Sequence, residues 1–228
     1  MKKRKSFIAC IVLVTFLFSI VTPCFAADNI LVEEGQFIEN NILYEYTIRT
    51  DYTNKIYTEV YRISNGERLL RDNFVTQKIG NTIYLDGKAV AYITAQDSET
   101  IYNGNVENRS LTDDEVRYYY FDNISSLSSV FTRGAAAVAS VIAAALRPGN
   151  STHFKASLFI FIAGEVIANS LDQIHYEQYI IYEPFPEDDP AVTLRERNKV
   201  AFYTNNQKTN MIGDEWIETI HETGWNSK

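Results

Sequence analysis

Three histidines offer the first test for chemistry in this sequence. We expect His153 at the start of a helix, His175 near the start of a strand, and His221 in a C-terminal amphipathic segment. The run Glu218-Thr-Ile-His221-Glu222 places acid and imidazole at helical spacing. A zinc-protease motif needs two histidines on one helix face, and only one is present here. We therefore predict no metal site and no cofactor.

The other familiar catalytic patterns are also absent from the sequence. There is no Gly-x-Ser-x-Gly motif and no P-loop, and both cysteines, Cys10 and Cys24, lie near the N-terminus. The acidic runs Asp113-Asp114-Glu115 and Glu187-Asp188-Asp189 lie among turn residues, which is typical of solvated loops. Calcium binding is the alternative, but the regular spacing of a calcium loop is missing. The sequence predicts a non-enzymatic protein.

The most unusual stretch runs from Ile124 to Leu171, where two apolar segments rich in small residues follow one another. Arg147-Pro148-Gly149-Asn150 separates them, because proline cannot continue a helix and glycine tolerates positive φ. So short a connection predicts two antiparallel helices, a helical hairpin at about 124–172.

The boundaries and the apolar faces of this hairpin follow from residue types. We expect the first helix to be capped by Asp122 or Asn123 and to end at Leu146. The second is expected to be capped by Ser151 or Thr152 and to end near Asp172. The stripes at helical spacing are Val138, Val141, Ile142 and Leu146 on the first helix, and Leu158, Phe161, Ile162 and Val166 on the second.

The predicted hairpin suits a protein core better than permanent residence in a membrane. From Gly134 to Leu146 it is about 20 Å long, against roughly 30 Å of hydrocarbon. A start at Ile124 is long enough but puts Arg133 in mid-span, at a cost of at least about 2.5 kcal/mol. Glu165 lies near the middle of the second segment at a similar cost. We expect a hairpin that is buried and inserts under a trigger, with Glu165 as the pH-sensitive group; the alternative is a purely structural helical layer.

The N-terminal half predicts a β-meander. Residues 42–50 and 55–63 are rich in β-branched and aromatic side chains, and the second run alternates. Asn65-Gly66 and Asp86-Gly87 are hairpin signals, because a type I′ turn needs positive φ at both central positions. The remaining predicted strands cover 68–77, 81–85, 88–94 and, more weakly, 100–107.

The C-terminal part predicts two more strands and a helix. The strands cover 175–182 and 192–205, joined by a proline-containing loop. Trp216, Ile217 and Ile220 are at helical spacing, which indicates a short amphipathic helix over 214–223. The tyrosines of the strands indicate ordinary half-buried packing, with a Tyr-lined carbohydrate or peptide surface as the alternative.

The first 26 residues have the three parts of a signal peptide. A cluster of cations precedes an apolar run of about 15 residues, short of the ~20 that a spanning helix needs. Small residues then precede a cleavage between Ala26 and Ala27. This favours removal over a retained anchor, and Pro23 before Cys24 argues against lipidation. The cations of the cluster are Lys2, Lys3, Arg4 and Lys5.

Charge and cysteine content limit the function classes. The chain carries 29 acids against 21 cations, a formal −8. Removing the leader takes away four cations and no acid, so the mature chain is more acidic still, which argues against nucleic-acid binding. Both cysteines leave with the leader, so a packed core must stabilise the product, for which about 200 residues suffice. A Lys-rich leader and a Cys-free product favour secretion from a Gram-positive bacterium.

Together these observations predict an α+β fold, in which a twisted antiparallel β-sheet (a meander plus a C-terminal hairpin) packs on the central helical hairpin. Residues 27–228 are expected to form a single domain. The function expected is that of a secreted, bacteriocin-like, membrane-active antibacterial protein, acting on a target-cell membrane or envelope. In arrangement alone, the hairpin is similar to that of colicin-type pore formers. The alternative is an extracellular, cell-envelope-associated binding module with a Tyr-rich sheet face.

Overall fold

The structure, a computed structural model, describes residues 31–51, 55–103, 115–146, 156–184 and 192–224. Most of them lie in strands. The strands are β1 (Leu31–Glu39), β2 (Ile42–Thr50), β3 (Lys55–Ser64), β4 (Glu67–Ile79), β5 (Thr82–Leu85), β6 (Lys88–Asn103), β7 (Glu115–Ser125), β8 (Gln173–Pro184), β9 (Val192–Tyr203) and β10 (Met211–Gly224). Between β7 and β8 lie a 3₁₀ segment (Leu127–Arg133) and two helices, α1 (Ala135–Ala145) and α2 (Ala156–Ala168).

The strands form one open antiparallel sheet in which each strand pairs with the next along the chain, from β1 to β10. The predicted antiparallel sheet is therefore confirmed, although it is one continuous meander and not a meander with a separate C-terminal hairpin. β1 and β10 are its edges, and both contact α2, while α1 contacts β3, β4 and β5. Since the two edges meet the same helix, the sheet curves around the helical segment.

The turns of the meander explain its register. Asn65-Gly66 and Asp86-Gly87 have positive φ at both positions, as predicted for two-residue hairpin turns. Asn40-Asn41 makes a third turn of this kind, with φ of 51° and 61°. Asparagine tolerates this region because its short polar side chain bonds locally. The prediction missed this turn, and with it the whole of β1.

One face of the sheet carries residues that belong to the same hydrophobic core as residues of the helices. Alternate residues of each strand point to it, as the two-residue period of a strand requires. These residues, those of α1 and α2, and Leu127 and Val130 of the 3₁₀ segment form one hydrophobic core. Among the largest side chains that are fully buried in it are Tyr46, Ile83, Ile124, Ile142, Phe159, Tyr176 and Phe202.

The predicted start of the first helix is wrong. The first helix does not start at Ile124 with a cap from Asp122 or Asn123, because all three residues belong to β7. β7 pairs along its whole length with β6 and β8, which satisfies its backbone and overrides the apolar helical pattern. The chain leaves the strand at Ser126, whose φ is 67°, and α1 begins only at Ala135.

The ends of the two helices also differ in part from the prediction. The C-cap of α1 is Leu146, as expected. α2 ends at Ala168, before the expected Asp172, because a turn follows at Asn169–Ser170 and Asp172 instead accepts bonds from Ser128. The proposed caps Ser151 and Thr152 lie outside the described residues.

The predicted C-terminal helix is wrong, because residues 211–224 form strand β10. Trp216 and Ile220 are four residues apart, a spacing that puts two side chains on one face of either a helix or a strand. The tertiary partner decides: pairing with β9 provides backbone bonds along most of the segment. Ile217 then faces the core, and Trp216 and Ile220 face away from it.

Candidate functional site

Most of the apolar residues predicted for the hairpin are in the core. Val138, Val141, Ile142 and Val166 are fully buried, and Leu146 and Ile162 nearly so. Leu158 lies in α2, but its side chain is outside the described set, as are Ala26 and Ala27.

The exposed side of α2 carries the remaining two predicted residues. Phe161 is 58% exposed, and Glu165 is exposed on the same helix face, one turn further on. The Asn169 side chain donates to the backbone oxygen of Glu165 at 2.9 Å and reaches its carboxylate at 3.4 Å. Glu165 is therefore already a surface residue that needs no buried partner.

Arg133 is the last residue of the 3₁₀ segment and lies two residues before α1. It donates to both carboxylate oxygens of Asp72, at 2.7 and 2.9 Å, and also pairs with Asp86. Its guanidinium lies 4.9 Å from the ring centre of Phe74. The hydrogen bond to Asp72 is the largest influence on the pKa of Arg133, which is raised. The charge that disfavoured a membrane span thus ties the 3₁₀ segment to β4 and to the turn after β5.

Glu39 fixes the first turn of α1. Its Oε1 accepts from the amide of Ala135 at 2.8 Å, and its Oε2 pairs with Arg71 at 2.8 Å. A carboxylate at this position satisfies a free amide and complements the helix dipole. Gly134, at φ 86°, leaves room for it, since a Cβ there would lie 2.9 Å from the carboxylate.

The most distinctive surface lies on the opposite side of the sheet from the core. We call the core-averted surface of β7–β10 the outer face. Its rings come from neighbouring strands: Tyr119 and Tyr179 have ring centres 4.8 Å apart, and Trp216 lies 5.6 Å from Tyr179. Register explains the first contact, because Tyr119 and Tyr179 are direct partners between β7 and β8. Trp216 is 36% exposed, and Tyr119 and Tyr179 are half-buried.

A polar cluster adjoins these rings. Glu177, itself buried, accepts from Tyr119 at 3.1 Å and from Tyr203, and pairs with Lys208 at 2.9 Å. Lys208 also donates to the hydroxyl of Tyr119, and its Nζ lies 4.3 Å from the ring centre of Phe121. We call Glu177, Tyr119, Tyr203 and Lys208 the Lys208 cluster.

The protonation states of the Lys208 cluster indicate a structural role and not a catalytic one. Burial, and then the bond to Glu177, raises the pKa of Tyr203. Burial is also the main reason that the pKa of Tyr119 is raised. Burial lowers the pKa of Lys208, but bonds to Tyr119 and Glu177 outweigh it and the pKa is raised overall. Both phenols therefore stay neutral and the lysine stays charged, so none is prepared to act as a base or nucleophile near neutral pH.

The backbone of the loop between β9 and β10 aims Lys208 at the rings. The φ angle of Lys208 is 58°, in the left-handed region, where the other described non-glycine residues are Asn, Asp or Ser. A long side chain in this region is costly unless surrounding contacts hold it. Asn205 supplies them within the loop, accepting from the amides of Lys208 and Thr209 and donating to the hydroxyl of Thr209.

Ion pairs also lie on the outer face. Arg195 is nearly buried and pairs with Glu222 at 2.7 Å and Glu183 at 3.7 Å. Arg197 pairs with Glu183 at 3.0 Å. Beside the rings, Lys199 pairs with Glu218 at 3.3 Å. The ladder register places these partners opposite or diagonal to one another.

The histidines do not assemble into a site. His175 lies on the outer face, where burial lowers its pKa and its buried Nδ1 has no hydrogen-bond partner among the described residues. His221 is exposed on β10, and His153 lies outside the described residues. In the part of the chain that the structure describes, no group of three or more His, Cys, Asp or Glu could hold a metal ion. Within the same residues, none of the helices has the length and apolarity to cross a bilayer.

No family model matches this chain, and neither a curated protein nor a solved structure resembles it significantly. The sequence did carry a signal for the rings of the outer face: 175–182 and 214–223 contain Tyr179 and Trp216 at positions that alternate with core residues. The signal of Trp216 was missed because its segment was predicted to be a helix.

Proposed function

We propose that this chain is a secreted, non-enzymatic binding module that attaches to a polymer of the cell envelope through the outer face of β7–β10. The observation that carries the proposal is the row of three rings, Tyr119, Tyr179 and Trp216, on a surface that the core does not use. Soluble proteins keep few aromatic side chains grouped on a surface without a partner.

The surroundings of the rings support binding more than catalysis. Tyr and Trp offer large contact areas while losing little rotamer freedom. The Lys208 cluster holds Tyr119 by its hydroxyl, so that this ring is oriented before a ligand arrives. Strands β7–β9 are paired on both sides, which makes the platform rigid.

The test is co-sedimentation of the chain, without its proposed leader, with purified Gram-positive cell walls. Trp216→Ala removes the most exposed ring, and a stacked aromatic contact is worth about 1.4 kcal/mol, or tenfold in affinity. Tyr57→Ala is the control, since Tyr57 is similarly exposed, at 39%, but lies on β3. We expect about tenfold weaker binding for the first variant and no change for the second. Equal binding by both variants, or no binding by the unchanged chain, refutes the proposal.

A second candidate function is membrane-active, antibacterial action by the helical segment, favoured by the exposure of Phe161 on a helix whose one charged residue is Glu165. Here we propose that α1 and α2, which contact each other, form the antiparallel hairpin. At 11 and 13 residues they are about 17 and 20 Å long, so insertion requires the segment to leave the core and lengthen. Leaving the core also exposes the apolar face of the sheet, which makes this candidate the more costly one.

Dye leakage from anionic vesicles separates the two candidates. Membrane activity predicts leakage that grows as the pH falls from about 7.5 to about 4, because acidification lowers the net negative charge of the chain. Trp216→Ala should leak as the unchanged chain does, because its ring is not on the helices. An absence of leakage across this range, together with no inhibition of related bacteria, removes the second candidate.

A further inference from the structure

The charges of the outer face are balanced among the side chains that the structure describes, although the chain is acidic. Four cations of β9 and the β9–β10 loop lie on it, and four carboxylates of β8 and β10 face them. Every one of these cations has a carboxylate within 3.3 Å, in a chain whose formal charge is −8. The residues are Glu177, Glu183, Arg195, Arg197, Lys199, Lys208, Glu218 and Glu222.

This balance decides what kind of ligand the face accepts. An anionic polymer gains affinity from cations that are free to meet its charges, and the described cations of this face are already neutralised by neighbours. Bringing phosphates or carboxylates close also requires work against the negative charge of the whole chain. A cationic ligand would have to displace an arginine or a lysine from its carboxylate.

The aromatic rings provide an attraction for a ligand that the neutralised charges do not provide. The faces of aromatic rings carry a partial negative charge that attracts weakly positive C–H groups. A sugar ring presents C–H groups on its flat side and hydroxyls on its rim. We propose that the ligand of the outer face is an uncharged glycan, whose sugar rings lie on Tyr119, Tyr179 and Trp216. This inference rests on the proposed function and specifies its ligand.

A protein partner fits the same face less well. Protein hot spots are fully desolvated, and burying this face would strip water from the exposed pair Lys199–Glu218 beside the rings. A glycan chain is narrow, so it buries less of the Lys199–Glu218 pair, which lies beside the rings. Its hydroxyls can both donate to and accept from those side chains without changing their charge.

The test measures binding to cell walls before and after their anionic polymers are removed, with soluble competitors. Chitohexaose is the uncharged competitor, and a hyaluronan oligosaccharide of equal length is the anionic one. We expect binding to survive the removal and to change less than twofold between about 0.1 and about 1 M NaCl, over which the Debye length falls from about 10 to about 3 Å. Chitohexaose should compete at least tenfold better than hyaluronan.

One charge variant makes the test more specific. Glu218→Gln leaves Lys199, beside the rings, without its carboxylate. It should bring salt-sensitive binding of hyaluronan, while chitohexaose competition should weaken at most about threefold, because glutamine also forms hydrogen bonds with hydroxyls. Glu67→Gln, on β4, serves as the matched loss of one exposed carboxylate elsewhere.

The outcomes separate this inference from the proposed function. Wall binding that disappears with the anionic polymers, or that falls steeply with salt, overturns the inference while the binding module stands. If the chain still binds walls through Trp216 but neither chitohexaose nor hyaluronan competes, the inference of a glycan ligand is overturned as well, and the result points to a protein partner. A chain that binds no wall preparation overturns both.

Discussion

Replacing Arg133 with alanine tests how the helical segment is held to the sheet. The guanidinium makes two hydrogen bonds to Asp72, one contact to Asp86, one bond to the backbone oxygen of Asn73, and a contact with the ring of Phe74. All of these partners belong to β4 or the β5–β6 turn. The substitution therefore removes a complete set of links between the 3₁₀ segment and the sheet.

The expected loss can be added up from these contacts. Arg133 and Asp72 are each about one quarter exposed, so their bidentate pair contributes about 1.5 kcal/mol. Asp86 is 44% exposed, which limits that pair to about 0.5 kcal/mol. The ring contact and the bond to Asn73 add about 1 kcal/mol together. The total is about 3 kcal/mol, or about 6–12 °C in Tm for a chain of this size.

Urea unfolding followed by circular dichroism measures this loss. Arg68→Ala is the control, because Arg68 also makes an ion pair with Glu45 at 3.2 Å, a hydrogen bond to Thr47 at 3.2 Å and a contact with the ring of Tyr61. Arg68 is 46% exposed, so its loss should cost about 1.5 kcal/mol, half of the loss expected for Arg133. If Arg133→Ala costs no more than Arg68→Ala, the arginine does not hold the segment and the reasoning is refuted.

Three further predictions concern stability. Burial acts to raise the pKa of Asp86, but hydrogen bonds from Arg133 and from the amide of Val75 outweigh it and lower the pKa below its ordinary 3.8. The stabilisation of the fold by the ionised Asp86 is present above pH 3.8 and is lost as the pH falls through the lowered pKa. The difference in stability between wild type and Arg133→Ala should therefore shrink when unfolding is measured at decreasing pH. Gly35→Ala should cost about 1–3 kcal/mol in urea unfolding, since its Cβ would lie 2.5 Å from Cζ of the buried Tyr46; an unchanged midpoint would mean that the ring yields freely. Tyr176→Phe should cost about 1–3 kcal/mol in the same assay, because the hydroxyl donates to buried Asp122 at 3.0 Å; a loss below about 0.5 kcal/mol contradicts that role.

The sequence was informative wherever local chemistry decides the structure. Asn65-Gly66 and Asp86-Gly87 have the positive φ angles that their composition predicts. Alternation identified β3, and the C-cap of α1 falls at Leu146 because the apolar run stops there. These features depend on a few adjacent residues, so one sequence is enough to find them.

The sequence was misleading wherever a partner that is distant along the chain determines the local structure. Ile124 reads as the first residue of an apolar helix but belongs to a strand that pairs on both sides. The four-residue spacing of Trp216 and Ile220 is compatible with both periods, and only pairing with β9 resolves it. The Lys208 cluster joins β7, β8, β9 and a loop, over a separation of 89 residues between Lys208 and Tyr119. No local pattern announces a contact of this kind.

The most direct measurement of the central claim is the fluorescence of Trp216 during glycan binding. The chain has two tryptophans, so Trp225→Phe leaves Trp216 as the single indole reporter. Titration with soluble, uncharged glycan fragments of the wall should shift and saturate its emission, with the same midpoint as the displacement of the chain from intact walls. Wall binding that leaves the emission of Trp216 unchanged would contradict the account, because the ligand would then lie elsewhere on the molecule.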